Sequence, residues 1–373
     1  MKPPLRLDPN APRAAQGDAI EVLDYHTGGE PFRIVISGYP ELAGTSILER
    51  RRSALQQHDH LRKLLMWEPR GHADMYGGIL VPPDHAEAQV GVLFMHNEGY
   101  STMCGHGTIA LATALIESGA IAAVGTETPI GIDAPCGLVH ATALVHADEI
   151  AAARAAGRTP RVHEVRFENV PSFAAALDVQ LEVPGYGRLT IDVGYGGAFY
   201  ALIDAAALGL EMTAENAAAL TAAGRAIADA GRAALRRGGP LAAALGVAHP
   251  LEDDLSFLYG AIIAGSPEDP AHHSRNLCVF AEGEVDRSPT GSGVSARLAV
   301  LHARSLVAQG EEVAIESILG RNSLFIGRVA RVEEWAGRTA VIPEVHGSAH
   351  MTGSARFVLD ANDPIGRGFL VAR

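Results

Sequence analysis

Cys104-Gly105-His106-Gly107-Thr108-Ile109-Ala110 and Thr290-Gly291-Ser292-Gly293-Val294-Ser295-Ala296 share the pattern x-G-x-G-x-x-A. Each opens an Ala/Leu-rich run, TIALATALIE in the first case and VSARLAVLHA in the second, and they lie half of the 373-residue chain apart. A second pair follows the same scheme more loosely. Thr27-Gly28-Gly29 precedes the apolar Phe32–Ile36, and Tyr195-Gly196-Gly197 precedes Phe199–Ile203. Self-similarity at a fixed spacing is the signature of a repeated structural unit. The simplest account is a duplicated chain whose halves face one another across a cleft, each presenting a glycine-rich helix start.

Working outward, strand-like stretches stand at Glu21–Leu23, Phe32–Ile36, Gln89–Phe94, Val162–Phe167, Val179–Val183, Leu189–Val193, Leu255–Ile263, Asn276–Phe280 and Thr339–Ile342. Helical runs lie after Gly105, with Gly119 placed as a C-terminal stop, and between Asp204 and about Leu245, where glycines divide two or three helices. Residues 149–160 read as a helical or flexible insertion without catalytic content. Strands and helices alternate throughout, so the class is α/β, grading into α+β.

Composition narrows the function. A net charge of −13 opposes binding to nucleic acid or an anionic membrane surface, but leaves room for a small zwitterion held by local dipoles. Met1–Gly17 mixes charges and prolines without the apolar run of a signal peptide, and no segment has the length of a membrane span. The expected location is the cytoplasm. The assembly is left open, with a homodimer as the candidate. The histidines show no HExxH or HxH spacing, so no metal is expected, and no nucleotide-binding glycine motif follows a strand.

Three cysteines, Cys104, Cys136 and Cys278, without CxxC spacing, argue against a disulfide framework. Cys136 and Cys278 read as small buried hydrophobes. Cys104 differs, because it directly precedes a helix N-terminus. Such a terminus carries about half a positive charge and several unpaired N–H groups. The expected consequence is a thiol pKa below the free value of ~8.5. Two facing termini, with Gly105, His106, Gly291 and Ser292, are placed to grip a carboxylate and to stabilise negative charge on it after α-proton loss. His106 is a candidate proton donor. Asp286, in Asp286-Arg287-Ser288-Pro289, reads equally well as an ammonium acceptor or as a loop aspartate capping a turn.

MCGHGTIA at Met103–Ala110 and DRSPTGSGVSAR at Asp286–Arg297 resemble the proline racemase family. DYHTGGEPFR, EPRGHADMYGG, VRFENVPSF, IDVGYGG, SRNLCVF and ESILGRNSLFIG extend the resemblance along most of the chain. It implies a diaminopimelate epimerase-like fold: two pseudo-symmetric domains, each a curled sheet around a central helix, with the active site in the interdomain cleft. The first domain is expected over 1–195 plus the returning 348–373, and the second over 196–347. No cofactor is implied, and the partner is a small hydroxyproline-like amino acid.

The resemblance also exposes a departure. Racemases and hydroxyproline epimerases of the family place a second cysteine where Thr290 stands, and a two-base racemase needs a thiol on each face of the α-carbon. Threonine at this place, with DLSFLYGAII at Asp254–Ile263, implies the branch that dehydrates trans-3-hydroxy-L-proline to 1-pyrroline-2-carboxylate. In that substrate the α-hydrogen and the C3 hydroxyl share a ring face, so one competent base suffices. Cys104 and Thr290 are thus the catalytic pair, Thr290 filling the vacated second-acid position. Gly105, His106, Asp286, Gly291 and Ser292 bind substrate. Two alternatives stand beside this reading: an epimerase of 4-hydroxyproline or proline, and a degenerate protein that binds proline analogues without chemistry.

Overall fold

The computed structural model describes residues 19–360 and 362–371; Met1–Gly17, read above for targeting signals, lies outside them. The first set of elements is β1 (Ile20–Thr27), β2 (Glu30–Ser37), α1 (Ile47–Gln57), α2 (Asp59–Met66), β3 (Tyr76–Val81), β4 (Val90–His96), α3 (Gly105–Glu117), β5 (Glu127–Ala134), β6 (Gly137–Leu144), α4 (Ala147–Ala156) and β7 (Glu164–Glu168). There follow β8 (Phe173–Val183), β9 (Gly187–Tyr195), β10 (Phe199–Asp204), α5 (Ala217–Arg237), α6 (Gly239–Leu245), β11 (Leu258–Gly265), β12 (Ser274–Phe280), β13 (Glu284–Asp286), α7 (Gly291–Ala303), β14 (Glu312–Ser317), β15 (Gly320–Trp335), β16 (Arg338–Gly347) and β17 (Ala349–Phe357).

Strand pairing divides them into two curled systems. One runs β17-β1-β2-β3-β4-β5-β6-β7-β16. The other runs β8-β9-β10-β11-β12-β14-β15-β16, and a bridge from Ser172 to Val341 brings its ends together. From β1 to β6 the pairings alternate antiparallel, parallel, antiparallel, parallel, antiparallel. From β9 to β15, omitting the short β13, the order is the same. In both systems the second parallel step is bridged by a helix, α3 or α7, because parallel neighbours need a long crossover. The repeat read from the two glycine loops is therefore a repeat of fold. Strands β8 and β9, which a division after residue 195 assigns to the first half, hydrogen-bond into the second system. The division in strand pairing falls between β7 and β8, with β16 shared and β17 returning to β1.

Each crossover helix is enclosed by its own sheet. Gly105 to Ile116 of α3 are all buried, and the helix packs on β1, β2, β6, β7, β16 and β17. Its α7 counterpart packs on β8, β9, β10, β15 and β16. A helix apolar on every side is a core helix, and each fully buried Ile or Leu contributes ~1.5–3 kcal/mol. The threonines fit because their hydroxyls bond back to the preceding turn, Thr108 to the Cys104 carbonyl at 2.8 Å and Thr113 to that of Ile109 at 2.9 Å. One core cluster joins both helices through Ile109, Phe167, Val294, Leu298 and Phe325. The helix α3 stops at Ser118, and Gly119 at φ 79° takes the left-handed turn that glycine alone adopts freely. Among the described residues, no helix is long and apolar enough to cross a membrane.

Candidate active site

The N-termini of α3 and α7 meet backbone to backbone. A Cβ on Gly105 would stand 2.4 Å from the Gly291 Cα, and one on Gly291 would stand 2.7 Å from the Gly105 Cα. Only glycine permits that approach. The two hairpin turns cross over to hold the opposite helix start. Gly28 and Gly29, at φ 57° and 90°, close the β1–β2 hairpin as a two-residue turn; Gly28 packs on Ser288 and Pro289, ahead of α7, and Gly29 on Leu319 and Arg287. The Gly196-Gly197 turn packs on Ser292 and on Met103, ahead of α3, and Thr102 donates to the Gly197 carbonyl at 2.7 Å.

Cys104 is the N-cap of α3, and its sulfur accepts from the Gly107 N–H at 3.2 Å. Gly107 has no room for a side chain: its Cβ would lie 2.5 Å from Phe32 and 2.8 Å from the Cys104 Sγ. The His106 ring lies beside the thiol, with Nδ1 at 3.4 Å and Nε2 at 3.5 Å. The expectation of a depressed thiol pKa is overturned. Burial raises the Cys104 thiol well above its ordinary value, outweighing the Gly107 N–H; Asp286 and Glu30 add to the rise, and the Tyr76 hydroxyl opposes it. A helix terminus lowers a thiol pKa where solvent still reaches the sulfur, and Cys104 is 3 % exposed. Burial likewise holds the His106 imidazole down to about 4, against the pull of Asp286, so the ring is neutral near pH 7.

The second helix start is built differently. Thr290 sits at φ 65°, in the left-handed region, and its side chain does not cap α7. Its hydroxyl donates to Asp286 Oδ2 at 2.8 Å, while Ser288 N–H donates to Oδ1 at 2.7 Å. Asp286 is thus held by its own loop, with Oδ2 3.8 Å from His106 Nδ1. Behind it, buried Glu30 fixes the loop by accepting from the Arg287 N–H at 2.6 Å and pairing with the Arg287 side chain at 2.8 Å. Ser292 is engaged with the Tyr200 hydroxyl at 2.7 Å.

Six of the seven residues singled out in the sequence, Cys104, Gly105, His106, Asp286, Thr290 and Ser292, line one small pocket, and the seventh, Gly291, touches Gly105 beside it. Tyr76, Met103, Tyr200, Tyr259, Cys278 and Phe280 complete the wall. By sequence Cys278 reads as a buried hydrophobe. It is buried on β12, but on the pocket face, in register with Asp286. A strand alternates its faces, so position in sequence alone could not say which face met the site. Tyr76 and Tyr259, from β3 and β11, stand at matching places in the two systems, with hydroxyls 3.0 Å apart. Among the described residues no group of three or more His, Cys, Asp and Glu side chains is disposed to hold a metal ion.

The arrangement offers the Cys104 thiol on one wall, a carboxylate, an alcohol and the Cys278 thiol on the other, and two helix termini between, which suits proton transfer at a carbon next to a carboxylate. The sequence matches the family model described as proline racemase over residues 22–370. It is 44% identical to a trans-3-hydroxy-L-proline dehydratase of Colwellia psychrerythraea, covering 94% of this chain and 92% of that one. It is also 44% identical to a 3-hydroxyproline 2-epimerase of Burkholderia multivorans, covering 95% and 98%. Among solved structures, a hydroxyproline epimerase from Agrobacterium vitis with bound trans-4-hydroxy-L-proline superposes with a TM-score of 0.82 at 31% identity, covering 96% of this chain and 97% of that one.

Proposed function

This chain belongs to the proline racemase family, and from that premise we propose that it dehydrates trans-3-hydroxy-L-proline to 1-pyrroline-2-carboxylate, with Cys104 as the base. One observation carries the choice of reaction: the asymmetry of the helix caps. A thiol caps α3, whereas the residue at the head of α7 is an alcohol already donating to Asp286. An alcohol in that position is far too weak an acid or base to exchange a carbon-bound proton at neutral pH.

In this reading the substrate carboxylate lies between the N-termini of α3 and α7, against the N–H groups around Gly105, His106, Gly291 and Ser292. The ring ammonium faces Asp286. That charge offsets the carboxylate which, together with burial, holds Cys104 as a thiol, so binding itself favours the thiolate. The sulfur then takes the α-proton, the helix termini stabilise the developing enolate, and the hydroxyl departs from the same face. The enamine released becomes the cyclic imine by tautomerisation. Incubation of the purified protein with trans-3-hydroxy-L-proline and o-aminobenzaldehyde tests the proposal. The expected outcome is the coloured imine adduct, lost in Cys104→Ala; unchanged substrate defeats it.

A second reading has its own support. Cys278 supplies a thiol on the Thr290 side of the pocket, and an equally similar relative is named an epimerase. If Cys278 protonates the opposite face, the main product is the inverted 3-hydroxyproline and not the imine.

A further inference from the structure

The site leaves one requirement of a dehydration unassigned. The hydroxyl must leave as water, and it needs a proton on the Cys104 face. His106 is a poor source, being a neutral ring wedged edge-on between Phe32 and Tyr76 at centroid distances of 5.7 and 4.9 Å. Tyr76 is better placed. It lines the same pocket as Cys104, is buried, and keeps its hydroxyl among polar groups, 3.0 Å from that of Tyr259. From that pocket wall it opposes the rise in the Cys104 pKa and so favours the thiolate. Tyr259 is fixed in turn by stacking on Phe280, with centroids 5.3 Å apart and planes 8° from parallel.

We propose that Tyr76 is the general acid for the departing C3 hydroxyl, and that Tyr259 positions it by donating to its oxygen. This rests on the dehydration proposed above. The Cys104 thiolate takes the α-proton, and the electron pair of the Cα–H bond becomes the C2–C3 double bond. The C3–O bond breaks, and the oxygen takes the Tyr76 phenol proton and leaves as water. The phenolate, steadied by Tyr259, recovers a proton from the adjacent Cys104 thiol. One turnover thus carries the α-proton into the released water and returns both residues to their starting states, with no proton drawn from solvent. Burial keeps both phenols protonated, as a donor requires.

The test compares trans-3-hydroxy-L-proline with trans-3-fluoro-L-proline, whose fluoride departs without prior protonation. Tyr76→Phe lowers kcat/KM for the hydroxy substrate by ~10²–10⁴-fold, the usual contribution of a general acid, and lowers it far less for the fluoro substrate, read by fluoride electrode. Tyr259→Phe shows the same leaving-group dependence in weaker form. Equal losses on both substrates in both variants mark a merely structural role and overturn the proposal, as does hydroxy-substrate turnover indifferent to Tyr76→Phe. If Tyr76→Phe fails to fold, the Tyr259→Phe ratio decides alone. A wild-type protein that forms no imine from trans-3-hydroxy-L-proline sinks the dehydration itself, and the acid with it. An active wild type with indifferent tyrosines sinks only the acid.

Discussion

Gly105→Ala tests whether the two helix starts act as one device. The added methyl would stand 2.4 Å from the Gly291 Cα, which is backbone and cannot rotate away. Carbon atoms at rest lie ~3.5–4.0 Å apart, so the termini must separate by about 1 Å. Overpacking of this kind costs ~1–3 kcal/mol of stability, and a 1 Å misplacement of a positioned group costs ~10²-fold in rate. Urea unfolding and steady-state kinetics measure the two effects separately. Gly291→Ala should behave alike, because its Cβ meets the Gly105 Cα at 2.7 Å. The double variant should lose less than the two single losses combined, since both changes open one contact. Gly125→Ala, with no atom within 4 Å of its Cβ, is the control and should stay within ~0.5 kcal/mol with full turnover. Wild-type stability and kcat/KM in Gly105→Ala would refute the claim that the helices meet here and jointly hold the substrate.

The remaining predictions concern the pocket walls. Cys104→Ala should keep the fold, by circular dichroism, and lose ~10²–10⁴-fold or more in kcat; near-normal turnover would remove Cys104 as base. Thr290→Cys puts a thiol at the head of α7 and should add measurable epimerisation, detected by chiral chromatography. The raised Cys104 pKa makes the active thiolate the minority form near neutrality, so kcat/KM should climb about tenfold per pH unit on the alkaline side of pH 7; a profile flat from about pH 6 to 9 would contradict this. Glu30→Ala removes the buried acceptor of the Arg287 N–H and side chain but leaves Arg287 on the Asp74 carbonyl and carboxylate, and should cost ~1–3 kcal/mol in denaturant unfolding.

How far the sequence carried these conclusions depended on how each element declares itself. The helices α3 and α7 are legible because a glycine start and an Ala/Leu-rich run leave few other readings. Strands β2, β4, β9 and β12 were visible as valine-, isoleucine- or leucine-rich runs. By contrast β3 carries Gly77 and Gly78, whose Cβ positions are occupied by Arg33, Met66, Phe32 and Val92. Its strand character comes from neighbours, not from propensity. Strand β17 alternates exposed and half-buried residues only from Thr352 to Phe357, and its small and polar residues carry little strand propensity. That β8 pairs with β9 and β9 with β10 is a matter of strand partnership, which the spacing of two loops does not encode. The pocket split along similar lines. Residues next to the repeated glycines were found by local chemistry, whereas Tyr76, Tyr259 and Cys278 arrive from strands far away in sequence. The thiol pKa was misjudged for a related reason: the helix terminus is local and readable, but the burial that outweighs it is made by the whole fold.

Running the reaction on trans-3-hydroxy-L-proline in deuterated water, with chiral separation of everything that remains, bears most directly on the single-thiol account. Substrate is expected to be consumed to 1-pyrroline-2-carboxylate, with no accumulation of the α-inverted amino acid. A predominance of α-deuterated, inverted 3-hydroxyproline would contradict it and show that a second acid works from the Thr290 side.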